Sequence, residues 1–238
     1  MIEVNDKIRA KVEALPDSPG VYRWKDKDGR IIYVGKAKNL KNRVRSYVRE
    51  DKNRSPKVAA MIRHADDLDI TMTGSEMEAL ILECNLIKEI HPKYNISLRD
   101  DKSYPYVKIT TGDEWPRIFV TRNIRRDDHA KYYGPFTDVG SLRKTLSVLR
   151  RYYPIRTCRS MKVPRPCLQY HLHLCCAPCF NYCTKEEYQR YVKTICDLFE
   201  GKSTELVKEL QQKMEQASES LEYEKAAEFR NQIRAIQS

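Results

Sequence analysis

The sequence predicts an α+β protein. A small antiparallel sheet flanked by helices is followed by a Cys-rich mixed region and a C-terminal α-helical hairpin. Three observations support this: short β-rich runs alternate with helical patterns at the start of the chain, six of the eight cysteines lie between residues 158 and 183, and the last block lacks Gly and Pro. The predicted segments are residues 12–98, 99–201 and 203–238, which suits a chain of 238 residues.

The composition is that of a folded protein with a basic surface. Hydrophobic residues make up 41% and charged residues 32% of the chain, which excludes a wholly disordered protein. No run approaches the ~20 apolar residues of a membrane span, and the first residues lack the apolar core of a signal peptide. We therefore expect a cytoplasmic protein.

Basic residues are concentrated in two blocks that contain no acid. The net charge is +11, residues 139–183 contain eight basic residues, and residues 30–49 contain seven more. Such blocks in an otherwise balanced chain indicate a polyanionic partner, most simply a nucleic acid. On charge alone, a solvated basic face is the alternative.

The first segment predicts a hairpin, a third strand and several helices. β-rich runs at Val21–Trp24 and Arg30–Gly35 are joined by a polar link that ends in Gly, which is typical of a hairpin. Helices are expected at Asn39–Val48 and Ser55–Arg63, each of which opens with a good N-capping residue. A third strand is expected at Leu68–Met72.

A longer helix is predicted from Ser75 to about Ile90. Ser75 and Glu78 fit a capping box, and His91 precedes a proline that disfavours further helix. The predicted buried face consists of Met77, Leu80, Ile81, Cys84 and Ile87.

The second segment predicts another hairpin, two helices and a loop-rich region. The hairpin is expected at Tyr104–Ile109 and Arg117–Thr121, and the helices at Ser141–Tyr152 and Lys185–Phe199. Several prolines make the Cys-rich part between the helices loop-dominated. The predicted buried side of the first helix consists of Leu142, Leu146, Leu149 and Tyr153.

The last segment predicts an antiparallel helical hairpin. Ser203–Gln237 shows apolar residues at helical spacing with a polar break near Ser218–Glu222. Two helices of this length cannot bury both apolar stripes against each other, so one face is expected to be left for a partner. The alternative is a hairpin that packs on its own protein.

Two tyrosine-containing triplets lie on the first predicted hairpin. Gly20-Val21-Tyr22 belongs to one strand and Tyr33-Val34-Gly35 to the next. Either triplet alone is weak evidence for a functional site, because strand tyrosines are usually packing residues. Further polar residues follow in order: Lys36, Arg43, Tyr47, Glu83 on the long helix, and Asn95. Together these residues resemble the GIY-YIG nuclease family, with Val in place of Ile in both triplets.

The resemblance implies metal-dependent phosphodiester hydrolysis, which needs a base, a divalent cation and protein cations at the phosphate. It implies that Tyr33 is the general base, with a pKa lowered from ~10 by Lys36 and the metal. Glu83 would be the single protein ligand of Mg²⁺ (or Mn²⁺), and Arg43 would stabilise the transferring phosphate. The residues expected to position the water, the phosphate and the ligand shell of the metal are Tyr22, Tyr47 and Asn95.

The resemblance extends over most of the chain, from Leu15 to Ile236. The order of segments and the sequence YYGPF at 132–136 are similar to the N-terminal half of the UvrC family, the incision subunits of bacterial nucleotide excision repair. This implies that damaged double-stranded DNA is cut on the 3′ side of a lesion in a complex with UvrB. The 5′-incision half of that family has no counterpart in this chain.

The C-terminal block resembles the UVR motif, which pairs with a similar hairpin on UvrB. Tyr223 replaces a common Phe, and Asn231 replaces a common Asp that could support Arg230. The predicted partner-binding residues are Leu210, Met214, Leu221, Tyr223, Ala226, Ala227, Arg230 and Ile233.

The Cys-rich segment predicts a metal centre, because clustered cysteines in a reducing compartment more often bind metal than form disulfides. Four thiolates on loops suit iron–sulfur or zinc equally, and the UvrC resemblance favours a [4Fe–4S] cluster. Zinc, with His171 or His173, and a purely structural thiol cluster or disulfide are the alternatives. The predicted ligands are Cys158, Cys167, Cys175 and Cys179, with Cys176 and Cys183 as further candidates; Arg156, Arg159, Lys162 and Arg165 would offset cluster charge or contact DNA.

Two other functions remain open. One is a GIY-YIG nuclease that acts without UvrB, as mobile-element endonucleases do, although the hairpin and the Cys-rich segment argue against it. The other is a non-catalytic adaptor in which these two segments serve protein contacts. The presence of Tyr22, Tyr33, Arg43 and Glu83 together argues against the adaptor.

Overall fold

The computed structural model describes residues 6–49, 55–95, 104–125 and 129–237. It contains two compact units, one up to residue 100 and one from 101 to 237. The predicted division into three segments stays a prediction, and its boundary at 98–99 lies outside the described residues. Within the described ranges, no helix combines the length and apolar character needed to cross a bilayer.

The first unit contains an antiparallel sheet in the strand order β2-β1-β3. Its elements are α1 (Asp6–Glu13), β1 (Gly20–Lys25), β2 (Ile31–Ala37), α2 (Leu40–Val48), α3 (Pro56–His64), β3 (Asp67–Met72) and α4 (Glu76–Ile90). The predicted α+β class, hairpin, third strand and three helices are confirmed. Helix α1 was not predicted, because its short sequence buries only Ile8 and Val12 and offers too little periodic pattern.

Capping residues start the helices at the predicted positions. The Asn39 side chain accepts a hydrogen bond from the Asn42 backbone N–H, and the Ser75 hydroxyl accepts one from the Glu78 N–H. The Glu78 carboxylate reaches back to the N–H of Gly74. Helix α4 ends at His91, which has a positive φ of 50°. The cap therefore fixes the start of the helix that carries Glu83.

The side chains of the first sheet alternate between two hydrophobic clusters. Val21 and Val34 are fully buried and pack with residues of α4. Tyr22 and Trp24 lie on the opposite face, in a larger cluster with residues of α1, α2 and α3. This alternation follows from the two-residue period of a strand. The tyrosine face of the hairpin therefore meets α2, while its valine face meets α4.

The second unit contains a sheet in the order β5-β4-β6 followed by helices. Its elements are β4 (Tyr106–Ile109), β5 (Ile118–Thr121), β6 (Lys131–Tyr133), α5 (Val139–Tyr152), α6 (Leu168–His171), a 3₁₀ turn (Pro178–Phe180), α7 (Lys185–Phe199), α8 (Ser203–Glu219) and α9 (Tyr223–Gln237). The second hairpin, the two helices and the helical hairpin are confirmed. Strand β6 was not predicted because it is only three residues long.

The helical hairpin packs partly on its own unit. Helices α8 and α9 contact each other, α9 also contacts α5, and α8 contacts α7. The predicted buried face of α5 is confirmed. The buried hairpin residues include Leu206, Leu210, Ala217, Ile233 and Ile236. Part of the apolar surface that was expected to await a partner is thus covered within the unit.

Candidate active site and metal-binding segment

Three tyrosines meet between the first hairpin and α2. The hydroxyl oxygens of Tyr22 and Tyr47 are 2.8 Å apart. The ring centroid of Tyr33 lies 6.1 Å from that of Tyr22 and 6.3 Å from that of Tyr47. Cross-strand pairing of Tyr22 with Gly35 and of Trp24 with Tyr33 places the tyrosines of the two triplets on one face. The structure therefore brings these three predicted site residues together.

The glycines of the two triplets are required by close packing. A Cβ atom at Gly35 would overlap the Tyr22 hydroxyl, and one at Gly20 would overlap the carbonyl oxygen of Thr71 on the neighbouring strand. Neither glycine has a positive φ. The triplets are visible in the sequence, but the reason for their glycines becomes visible only in the packed hairpin.

Arg43 and Trp24 complete the surroundings of Tyr47. The Arg43 guanidinium carbon lies 5.2 Å from the centroid of the Tyr47 ring, and the charge of Arg43 lowers the otherwise raised pKa of Tyr22. The Trp24 ring meets Tyr47 edge-on at a centroid distance of 6.0 Å. Sequence reasoning missed Trp24, whose alternation with Tyr22 along β1 was the available signal. A fixed cation thus lies beside the tyrosine hydroxyls.

Glu83 and Asn95 occupy the open edge of β2. Because β2 is an edge strand, its outward backbone groups need partners. The N–H of Lys36 donates to Glu83 Oε1 at 3.1 Å, and the N–H of Val34 donates to Asn95 Oδ1 at 2.8 Å. The Glu83 side chain is only 7% exposed. The carboxylate is therefore held at the same strand edge as the second triplet.

The amide group of Asn95 is used entirely by one residue. Its Nδ2 donates to the carbonyl oxygen of Val34 at 2.8 Å, while its Oδ1 accepts from the N–H of the same residue. Asn95 thereby imitates a neighbouring strand. This geometry is that of a residue that fixes β2, and the predicted contact with the shell of a metal stays a prediction.

The surroundings of Tyr33 affect the pKa of its phenol. Burial raises the pKa of the Tyr33 phenol, and the nearby Tyr47 hydroxyl and Glu83 carboxylate raise it further. Burial and the neighbouring Tyr33 likewise raise the pKa of Tyr22. Without a metal ion, burial and a nearby carboxylate both disfavour the phenolate, and the lowering expected from Lys36 together with a bound metal stays a prediction.

Four of the cysteines interact electrostatically with one another. Burial raises the pKa of the Cys175 thiol to about 11, and the three other predicted ligands, Cys158, Cys167 and Cys179, add to the rise. Cys158 and Cys167 are exposed, as are both candidate histidines. Across the described part of the chain, no three His, Cys, Asp or Glu side chains are arranged to hold a metal ion.

Cys176 and Cys183 form a separate pair, with their Sγ atoms 2.7 Å apart.

Arg156 is buried beside Cys158 and was expected to face a cluster or DNA. Its Nη1 donates to the carbonyl oxygen of Cys158 at 2.9 Å, and its Nε donates to that of Trp115 at 2.7 Å. A side chain only 6% exposed cannot contact a DNA backbone, so that alternative is wrong for Arg156.

The structure divides the predicted partner-binding residues by exposure. Leu210 and Ile233 are buried, whereas Leu221 and Tyr223 at the hairpin turn are 70% and 65% exposed. The others range from half-buried (Met214, Ala226 and Ala227) to exposed (Arg230). The turn is therefore the part of the hairpin that presents large apolar side chains to solvent.

Comparisons with known proteins match three successive parts of the chain. Family models match residues 18–96 as a UvrC-like GIY-YIG domain, residues 104–198 as the UvrC/Cho excinuclease middle domain and residues 204–238 as the UvrB/uvrC motif. UvrABC system protein C of Alkaliphilus oremlandii (strain OhILAs) is 48% identical over 235 residues, 96% of this chain and 38% of the relative. The same protein of Moorella thermoacetica (strain ATCC 39073 / JCM 9320) is 50% identical over 233 residues, 97% of this chain and 38% of the relative.

The chain belongs to the UvrC family. It spans 38% of the length of these two UvrC relatives. A crystal structure of the GIY-YIG N-terminal endonuclease domain of UvrC from Thermotoga maritima, bound to magnesium, is also similar. It is 47% identical and covers 39% of this chain and 99% of that chain, with a TM-score of 0.36.

The UvrC match assigns each described feature to a domain. The tyrosine cluster and Glu83 lie in the matched GIY-YIG domain, so residues 18–96 are an endonuclease domain of the UvrC type. All six clustered cysteines lie in the matched UvrC middle domain. The exposed turn with Leu221 and Tyr223 lies in the matched UvrB/uvrC motif.

Proposed function

We propose that this chain is the 3′-incision half of an excision nuclease. It would hydrolyse one phosphodiester bond of damaged double-stranded DNA, on the 3′ side of a lesion held by UvrB. The observation that supports this most is the assembly of Tyr22, Tyr33 and Tyr47 beside Arg43, with the Glu83 carboxylate at the edge of the same hairpin. Membership of the UvrC family supports a role in nucleotide excision repair in the cytoplasm.

Glu83 is the residue that would hold a divalent cation. Its buried carboxylate offers the hard oxygen ligands that Mg²⁺ or Mn²⁺ prefers, and a single carboxylate suits a cation that keeps several waters. When bound, the cation neutralises charge on the phosphate and lowers the pKa of a bound water. The backbone N–H of Lys36 donates to one oxygen of this carboxylate and thereby fixes its orientation.

The tyrosines and Arg43 supply the remaining chemistry. Tyr33 would act as the base in its phenolate form: the phenol first gives its proton to solvent, and the phenolate oxygen then accepts a proton from the attacking water. The Tyr22 and Tyr47 hydroxyls position the water and the phosphate. The Arg43 guanidinium binds phosphate oxygens and favours negative charge on Tyr22. The Lys36 side chain adds positive charge at the same strand.

An incision assay tests this function. A lesion-containing duplex, end-labelled on each strand in turn, is incubated with Mg²⁺ with and without UvrB. Glu83→Gln is expected to abolish a single cut 3′ of the lesion while DNA binding and UvrB binding persist. Glu89→Gln, an exposed position on the same helix, is the matched control.

The outcomes separate the functions considered. Cutting that does not need UvrB would identify a free-standing nuclease and contradict the proposed role in repair. Absence of cutting by protein that still binds UvrB would identify an adaptor. Equal loss of binding in Glu83→Gln would mean that Glu83 is structural.

We also propose that Cys158, Cys167, Cys175 and Cys179 bind a [4Fe–4S] cluster, with zinc as the alternative. Their mutual effect on thiol pKa supports a common site, and soft thiolates suit either metal. Protein purified without oxygen is expected to be brown, with broad absorbance near about 400 nm and bound iron. Cys175→Ser should remove the colour, whereas Cys196→Ser on α7 should keep it. A colourless protein that contains zinc would contradict the cluster.

UvrB is the proposed protein partner, and the exposed turn of the hairpin is its proposed contact. Leu221→Asp is expected to weaken UvrB binding without lowering the melting temperature, because its side chain makes little contact within the chain. Leu210→Asp should lower the melting temperature as well, since Leu210 is buried. UvrB binding that survives Leu221→Asp would place the contact elsewhere.

A further inference from the structure

A row of aromatic and basic side chains crosses the second sheet. The strand register pairs Lys108 of β4 with Phe119 of β5 and with Tyr132 of β6. Residues directly opposite each other on antiparallel strands share a face of the sheet. Val107 and Ile109, on either side of Lys108, are fully buried, so the row lies on the other, outer face.

Cations and rings alternate along this row. The Lys108 ammonium lies 5.9 Å from the centroid of the Phe119 ring and 5.1 Å from that of Tyr132. The Arg117 guanidinium carbon lies 4.1 Å from the centroid of Phe119. All four side chains are half-exposed. We call Arg117, Phe119, Lys108 and Tyr132 the aromatic–cation row.

The strands that carry the row are basic, and Glu200 bonds to Lys131 and Tyr133 of β6. Strands β4, β5 and β6 contain no Asp or Glu. Arg122 and Arg125 follow β5 and are exposed, and the backbone N–H of Arg125 donates to the Tyr132 hydroxyl at 3.2 Å. This hydrogen bond joins the basic loop to the row. A polyanion therefore meets a surface of complementary charge.

We propose that the aromatic–cation row binds a single-stranded segment of DNA. Aromatic rings and guanidinium planes stack on unpaired bases whatever their sequence, and neighbouring cations neutralise the backbone phosphates. Alternating rings and cations match a strand whose bases and phosphates also alternate. The proposal rests on the proposed function in its choice of DNA, and it adds a strand-binding site in the second unit, on residues other than those of the nuclease site.

The chemistry of the row favours a nucleic acid over a protein partner. The centres of protein interfaces are depleted of charged residues, whereas this row has Lys108 at its centre and Arg117 at one end. The exposed aromatic surface is also too interrupted by cations to form an apolar docking patch. The observed spacing serves stacking and phosphate contact together.

Binding of labelled DNA tests the proposal without any hydrolysis. Fluorescence anisotropy is measured with a fluorescein-labelled, mixed-sequence single strand of about 20 nucleotides and with the matching duplex, in EDTA and over a range of KCl. The variants are Phe119→Leu, Tyr132→Leu and Lys108→Gln. Tyr152→Leu, half-buried on α5, and Lys193→Gln, exposed on α7, are the matched controls.

Each aromatic variant is expected to weaken single-strand binding by about 5-fold or more. Lys108→Gln should reduce the slope of log affinity against log salt by about 0.7, the value for one phosphate contact on a single strand. The two controls should stay within about twofold of the unchanged protein, and duplex binding should change less than single-strand binding.

Several results would overturn the proposal. Variants of the row that match the controls would mean that the face is only a solvated surface. Equal losses on duplex and single strand would mean phosphate contact without stacking, and preferential binding of a single-stranded RNA of the same sequence would mean a different ligand. Circular dichroism and melting temperature identify any folding defect in the aromatic variants, and the surface change Lys108→Gln provides an independent test.

Failure of this proposal differs from failure of the proposed function. Because the binding assay contains no divalent cation, it does not depend on Glu83, and Glu83→Gln is expected to bind the single strand like the unchanged protein. Absence of incision by the unchanged protein, with intact strand binding, would contradict only the proposed nuclease, whereas row variants that bind normally would contradict only the aromatic–cation row.

Discussion

At the scale of single residues, the arrangement of the tyrosines depends on Gly35, because a glycine has no Cβ atom to collide with Tyr22. Gly35→Ala would place a methyl group on the Tyr22 hydroxyl, which is hydrogen-bonded to Tyr47. We expect a loss of about 1–3 kcal/mol in unfolding free energy from overpacking. We also expect incision to slow by about 100-fold, because misplacement by about 1 Å is costly at an active site. Urea unfolding and the incision assay measure the two effects.

A double variant separates the two effects of Gly35→Ala. Adding Tyr22→Phe removes the oxygen that the new methyl group strikes but keeps the ring carbon Cζ, which also lies too close, so stability should recover only in part while incision stays slow. Gly29→Asn serves as the control, because Gly29 has a positive φ that Asn tolerates and no atom lies near its missing Cβ. Unchanged stability and activity in Gly35→Ala would contradict this account.

Variants of Asn95 distinguish a structural role, in which it stabilises strand β2, from a role in the ligand shell of the metal. Asn95→Ala leaves the N–H and C=O of Val34 without their partners, and each buried unpaired group costs about 1–3 kcal/mol. Urea unfolding should show this loss, and Asn95→Asp, which keeps the acceptor for the Val34 N–H but sets its second oxygen against the Val34 carbonyl oxygen, should lose stability as well. The Mg²⁺ concentration for half-maximal incision should stay unchanged. A higher Mg²⁺ requirement with unchanged stability would contradict the structural role and mean that Asn95 contributes to the ligand shell of the metal.

At the scale of elements, Glu200 joins the end of α7 to β6 and to the start of α8. Its carboxylate accepts hydrogen bonds from Lys131, Tyr133 and Lys202. These contacts, with those to Lys131 and Lys202 the largest, lower the pKa of Glu200 to about 2. A carboxyl group with a lowered folded-state pKa stabilises the fold fully above its unfolded pKa of about 4.3 and loses this effect as the pH falls toward 2.

Glu200→Gln is therefore expected to be less stable than the unchanged protein at pH 7 and to lose less stability on acidification. The difference should be at most about 1 kcal/mol, because a third of the side chain is exposed to screening solvent. Urea unfolding at pH 7, 4.5 and 3 measures it, with the exposed Glu205→Gln on α8 as control. A constant difference from pH 7 to pH 3 would contradict the assignment of the effect to this carboxylate.

The elements also show what the sequence could and could not reveal. Caps and periodic patterns predicted α2, α3, α4 and α7 nearly to the residue, because these signals are local. Strand β6 was not predicted, because its pairing partner β4 lies more than twenty residues away and because three residues are too few to show alternating apolar and polar side chains. The tyrosine triplets were visible as a motif, but the contacts of Asn95 and Arg156 depend on packing between distant segments.

At the scale of the molecule, charge and function are unevenly distributed along the chain. The acid-free basic block at residues 30–49 lies within the nuclease domain and contains Arg43. Residues 203–237 instead contain seven acidic and five basic residues. DNA is therefore expected to meet the first two segments of the chain, and the C-terminal hairpin, which carries a net negative charge, is better suited to a protein partner. The exposed turn at Leu221 and Tyr223 agrees with this separation.

This separation predicts how salt acts on DNA binding. Each phosphate contact on a duplex adds about 0.9 to the slope of log affinity against log salt, so two or three contacts would weaken binding by about 10- to 40-fold between about 50 and 200 mM salt. Lys41→Gln on α2, in the basic block, should lower the slope by about 0.9 if Lys41 meets a phosphate, whereas Lys208→Gln on α8 should leave it unchanged. Anisotropy with undamaged duplex in EDTA measures both slopes. Equal effects of the two variants would mean that the net charge of +11 acts as a diffuse field and that the basic block has no contact of its own with DNA.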